Sequence, residues 1–184
     1  MIRELWSNKW LAIKEMVDPE RGVNGYTFSH EARCKGKILV ILPFRKNGDN
    51  TVSFYLRREI TPCWGMEPRI SSITGGVEND DPLTTAMHEL QEEAGYTCQK
   101  ENLIDLGTTY GVKSADTVYF IYGVDVTNLP QGKAMGDGSQ LEAQASMVWT
   151  NENEVPRAVD PMVAMAYIRL KQTGLVGHMK DRFS

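Results

Sequence analysis

Glu89, Glu92 and Glu93 are the residues whose spacing points to chemistry. On a helix, positions i, i+3 and i+4 are neighbours, so the three carboxylates crowd one side and repel unless a cation lies between them. Hard divalent ions take oxygen ligands, and Mg²⁺ binds through one or two carboxylates together with substrate phosphates. Acidic runs are mostly the solvated face of a surface helix. This run differs in its surroundings, with Gly75-Gly76 before it and Gly95-Tyr96 closing it.

The stretch 75–96 predicts a glycine loop, a carboxylate-rich turn and a short amphipathic helix. Asp80 or Asp81 supplies the cap, Pro82 suits the first helical position and Gly95 the stop. Leu83, Ala86, Met87, Leu90 and Ala94 fall on one apolar face at helical spacing, opposite the glutamates.

Residues 88–96, His-Glu-Leu-Gln-Glu-Glu-Ala-Gly-Tyr, resemble the second half of the Nudix hydrolase signature. His88 stands where the family has arginine, and Asp80 falls in the earlier glutamate slot. The glycine slot falls on Thr74, so the loop is two residues short. The resemblance implies a Nudix-type α/β/α sandwich with a mixed sheet, in the α+β class. It also implies Mg²⁺, with Mn²⁺ as a substitute, held by Glu89, Glu92, Glu93 and the Gly76 carbonyl.

The N-terminal segment, with Trp10, Phe28 and Arg33, resembles the hairpin that precedes the core in ADP-ribose pyrophosphatases. That subfamily exchanges its hairpins across a homodimer and stacks adenine between aromatics. By this likeness Trp10 and Phe28 take the base, Arg33 the diphosphate or ribose, and Arg58 a phosphate, with Arg57 as the neighbouring alternative. Glu142 occupies the place of the subfamily's general base, a role Glu92 or Glu93 could also fill. The implied reaction is hydrolysis of ADP-ribose, or a related nucleoside diphosphate sugar, to AMP and ribose 5-phosphate. Alternatives are a pyrophosphatase for another nucleotide sugar such as GDP-mannose, and a catalytically silent nucleotide sensor. Where the subfamily has a proline-glycine and an acidic pair, this chain has Tyr110-Gly111 and residues 114–117, Ser-Ala-Asp-Thr.

The positioning elements follow from pattern. Residues 9–17 and 25–33 predict two paired strands, and domain organisation divides as 1–35, the N-terminal hairpin, and 36–184, the Nudix domain. Residues 37–44 are too apolar for a half-exposed strand and predict a central one. Residues 51–58 return antiparallel to it. Further strands are expected at 69–73, 102–110, 117–126 and 145–149, and a second helix from Asp160-Pro161 to about Thr173. Pro130, Gly132, Gly136 and Gly138 predict a mobile segment over 128–140.

The chain has 184 residues, 41% hydrophobic and 24% charged, values that suit a single core. A net charge of −4 gives no general attraction to nucleic acid or to an anionic membrane. Cys34, Cys63 and Cys98 are odd in number and lack zinc spacing. With no apolar leader, they predict reduced thiols in a cytoplasmic protein.

Overall fold

The computed structural model describes residues 1–78, 81–136 and 140–177, except for the side chain of Glu142. Three strands open the chain: β1 (Ile2–Ser7), β2 (Leu11–Asp18) and β3 (Val23–Glu31). They form an antiparallel sheet in the order β1-β2-β3. The expected pair is therefore present, and β1 is an addition to it. Sequence pattern misses β1 because all six of its residues are exposed, so no face had to be apolar.

The main sheet is built from β4 (Lys37–Lys46), β5 (Val52–Glu59), β6 (Arg69–Ser71), β7 (Ile73–Gly76), β8 (Leu103–Tyr110), β9 (Val118–Asp125) and β10 (Ser146–Asn151). Its order is β10-β5-β4-β9-β8, with β6 on β5 and β7 on β4. The β4–β9 pairing is parallel, while the pairings of β5, β7 and β8 are antiparallel, so the sheet is mixed. Helix α1 (Pro82–Ala94) packs on one face and α2 (Pro161–Gln172) on the other.

Strand β4 shows why a continuous apolar run signals the centre of such a sheet. Leu39 and Ile41 join the α1 cluster, while Val40, Leu42 and Phe44 join the α2 cluster, all fully buried. Its partners divide its length. Ile38 to Ile41 pair with β7, whereas Phe44 to Lys46 pair with β5. Pro43, which has no N–H to give a ladder, sits in the gap between the two pairings. Beyond that gap β5 diverges from β4 and continues between β10 and β6. This divergence opens the sheet beside α1.

The break between β6 and β7 is pinned from the opposite layer. Ser72 donates from its backbone N–H at 2.9 Å and from its hydroxyl at 2.5 Å to Oδ2 of Asp160. The same carboxylate caps α2 through the N–H of Met162 at 2.8 Å. Asp160 thus fixes the start of β7 as well as the start of α2. Gly75 and Gly76 belong to β7, opposite Leu39 and Ile38, so the expected glycine loop is a strand.

Candidate active site

Helix α1 forms as its sequence dictates. The Asp81 carboxylate accepts from the N–H of Thr84 at 2.9 Å, Pro82 opens the helix, and Gly95 closes it at φ 75°. Ala86, Leu90 and Ala94 are buried, with Leu83 and Met87 packed beside them. The glutamates face the opening between β5 and β7.

Glycine is required at one point of that opening. A Cβ at Gly75 would stand 2.2 Å from Glu89 Oε1 and 2.5 Å from its Cγ, so the Glu89 side chain lies directly on the strand backbone. Gly76, expected to offer its carbonyl to a metal, is instead covered by Arg33, with Nη2 3.1 Å from where a Cβ would be. Arg33 also lies 3.5 Å from Glu78 and 5.4 Å from the Trp10 ring centroid.

Arg57 on β5 reaches across to Glu93, donating to Oε1, and pairs with Glu59 at 3.0 Å. Both side chains are largely shielded from solvent, with exposures of 12% for Arg57 and 7% for Glu93. Glu93 Oε2 has no hydrogen-bond partner. Burial raises the Glu93 pKa to about 8, with Glu89 and Glu59 adding to the rise and Arg57 opposing it. A carboxylate so placed gains from a second positive group at its free oxygen.

Arg57 and Glu93 stand at the junction of two clefts. One, of about 460 Å³, is lined by Arg33, Thr61, Gly75, Glu89, Glu92 and Leu141 as well as the pair. The other, of about 490 Å³, is lined by Tyr55, Gln131, Met135, Ala145 and Met147 and by the same pair. The back wall of this second cleft is formed from segment 130–136. Its N–H groups at Met135 and Gly136 donate to the Glu92 carbonyl at 3.0 and 3.1 Å, and Gly132 donates to Gly95 at 2.8 Å. Gln131 adds a bond to the Ala94 carbonyl. The first part of the expected mobile segment is thus fastened to the free carbonyls at the end of α1, which need partners there.

The structure brings Arg33, Gly76, Glu89, Glu92 and Glu93 together. It does not bring Arg58, which is exposed and alternates to the other side of β5. Period-2 geometry gives the cleft to Arg57 instead. Phe28 is also absent: it is 9% exposed and pairs across from Lys14. Trp10 is opposite Ala32, four positions along the ladder and about 13 Å away. The two aromatics therefore form no base sandwich within one chain. The side chain of Glu142, together with Asp80, lies outside the described residues. Leu141 and Ala143 on either side of Glu142 line one cleft each. His88 is exposed.

Among the described residues no three acidic, histidine or cysteine side chains converge into a closed metal shell. The donor set fits a different arrangement, in which an orphan oxygen of Glu93, with Glu89 beside it, shares a hard cation with ligand oxygens. Among the described residues, no helix is long and apolar enough to cross a membrane.

No family model matches the chain. A methanol dehydrogenase activator from Bacillus methanolicus is 33% identical over 114 residues, covering 60% of this chain. The chain spans 57% of that relative's length. Among solved structures, the crystal structure of an ADP compounds hydrolase superposes with a TM-score of 0.71 at 13% identity. That likeness covers 95% of this chain and 91% of the other. At such identity the shared property is the fold: this chain has a Nudix-like α/β/α sandwich, extended by an N-terminal antiparallel sheet.

Proposed function

We propose that the chain is a Mg²⁺-dependent pyrophosphohydrolase of ADP-ribose or a related nucleoside diphosphate sugar. The observation that carries this reading is the buried, half-satisfied Glu93 carboxylate between Arg57 and Glu89. The solved neighbour, an ADP compounds hydrolase, supports the same substrate class. Mn²⁺ is the expected substitute metal.

Glu93, with Glu89 beside it, would hold the cation together with ligand oxygens, Glu92 lining the same cleft, and the cation would supply charge neutralisation at the diphosphate oxygens. Arg57 and Arg33 bind those oxygens and orient the diphosphate between the clefts, a task suited to the guanidinium fork. Glu142 accepts a proton from the attacking water, from a segment whose neighbours border both clefts. One water is consumed, one P–O bond breaks, and ADP-ribose yields AMP and ribose 5-phosphate. Placing charged donors in advance where charge develops is the main source of rate in such reactions.

A second reading is a silent nucleotide binder, favoured by the Arg57–Glu93 ion pair, which satisfies one metal-facing oxygen internally. Turnover of ADP-ribose, ADP-glucose, GDP-mannose and deoxynucleoside triphosphates with Mg²⁺ separates these readings, with products resolved by chromatography. AMP formation from ADP-ribose that is lost in Glu93→Gln is the expected result. GMP from GDP-mannose would move the substrate, and binding without any cleavage would favour the silent form.

A further inference from the structure

Arg57 has two acidic partners, and their tasks differ. Its Nη1 donates to Glu93, while its Nε lies 3.0 Å from Glu59 Oε2. Glu93 keeps its other oxygen without a hydrogen-bond partner, so it is the member of the two that a hard cation would claim. The guanidinium is repelled by any cation bound there, and that half of its grip weakens. An arginine held through Glu93 alone would then regain the freedom of its long stem and leave the junction of the clefts.

Glu59 is built as the lasting support. Arg57 and Glu59 are two residues apart on β5, so they lie on the same side of the strand. Glu59 Oε1 accepts from the buried Ser71 hydroxyl at 2.7 Å, which leaves Oε2 to Arg57. Ser71 stands on β6 directly opposite Arg57 in the ladder. The next residue, Ser72, is bonded through its backbone N–H and its hydroxyl to Asp160, the cap of α2. The start of α2 therefore fixes Ser71, Ser71 fixes Glu59, and Glu59 fixes Arg57. Glu59 also borders the cleft that holds the α1 glutamates, which raises the alternative of a further cation ligand. Both of its oxygens already have partners, unlike those of Glu93.

We propose that Glu59 is the positioning residue of this site: anchored by Ser71, it holds Arg57 at the junction of the two clefts when a cation takes the Glu93 carboxylate. The proposal rests on the nucleotide-hydrolase reading above and adds a residue to it. A grip at Nε does not use the terminal nitrogens of the fork, which are the donors that meet diphosphate oxygens.

The test follows Arg57 itself. Its Nε–Hε signal in nitrogen–proton correlation spectra, assigned by its loss in Arg57→Lys, is recorded in saturating Mg²⁺. Alongside it, kcat/KM is measured for the nucleotide of the panel that is cleaved fastest. The variants are Glu59→Ala, Glu59→Gln and Ser71→Ala. Glutamine can keep both contacts without the charge, its carbonyl accepting from Nε and its amide donating to the Ser71 hydroxyl. In Mg²⁺ the signal is expected to be protected from solvent exchange in wild type and in Glu59→Gln, and to be lost in Glu59→Ala. kcat/KM is expected to fall about a hundredfold in Glu59→Ala and about tenfold in Ser71→Ala, with Glu59→Gln recovering at least about tenfold of the alanine loss. A glutamine variant as impaired as the alanine one would assign Glu59 to the cation and overturn the proposal. So would a wild-type Arg57 signal in Glu59→Ala. If Glu59→Ala does not fold, Ser71→Ala decides, and an unchanged signal and turnover there overturn the proposal. A wild-type protein that cleaves no nucleotide of the panel overturns the hydrolase reading alone, and the Arg57 signal in Mg²⁺ then decides the positioning role.

Discussion

Glu93 concentrates the electrostatics of this molecule in one side chain. Its carboxylate is buried, faces Arg57 with one oxygen, and feels Glu89 and Glu59 nearby. Burial outweighs the arginine, and the folded protein holds the Glu93 proton up to about pH 8, whereas the ordinary value is 4.5. Folding therefore takes up a proton in that window, and the sign follows from linkage: the folded state binds more protons, so stability falls as pH rises. Metal-free protein is expected to lose stability progressively from pH 4.5 to about 8 and to level off above, relative to Glu93→Gln. Urea midpoints in chelator across that range check this, and parallel curves for the two proteins would refute it.

At the scale of elements, two glycines decide whether α1 can be seated. Gly75 lets Glu89 lie on β7, and a methyl group there would collide with most of that side chain. Gly75→Ala is expected to leave the unfolding midpoint nearly unchanged while lowering kcat by about a hundredfold, the usual cost of displacing a catalytic group by an ångström. A variant with wild-type turnover would show that Glu89 does not need this position. Gly95 has a different task. It ends α1 at positive φ, and an added Cβ would lie 2.4 Å from the Gly132 carbonyl oxygen. Gly95→Ala should cost about 1–2 kcal/mol from backbone conformation alone, with more from the collision. Denaturant unfolding gives the loss, and amide exchange should show the bonds of segment 130–136 opening with it.

For the whole molecule, the question is what the N-terminal sheet is for. Within one chain it docks through β3 on the turn that follows β8. Ser29 donates to Ser114 at 2.8 Å and accepts from Asp116 at 3.2 Å, while His30 contacts the Asp116 carboxylate at 2.9 Å. Its outer strand β1 is left exposed on both faces, with Ile2, Leu5 and Trp6 each more than half exposed. An unpaired edge carrying such residues is a template for a second chain. We propose the expected homodimer on this basis. Light scattering should give twice the monomer mass for wild type and the monomer mass for a Leu5→Glu, Trp6→Glu double variant. A wild-type monomer at micromolar concentration would end the proposal.

The sequence by itself determined those features that depend on neighbours along the chain. Asp81, Pro82 and Gly95 set the limits of α1, and the spacing of Ala86, Leu90 and Ala94 set its buried face. The unbroken apolar run of β4 placed it at the centre of the sheet. Capping, helical period and two-faced burial act over a few residues, so they can be read from a string. Only the tertiary structure decided between Arg57 and Arg58, because both fit the string and the choice turns on which face of β5 meets α1. It also put the close approach of Glu89 at Gly75, buried Phe28, and anchored segment 130–136. Each of these depends on contacts between distant segments, such as Arg57 with Glu93 across 36 residues. Those contacts arise from the divergence of β5 and β7 along β4, a relation between three strands that no local pattern encodes.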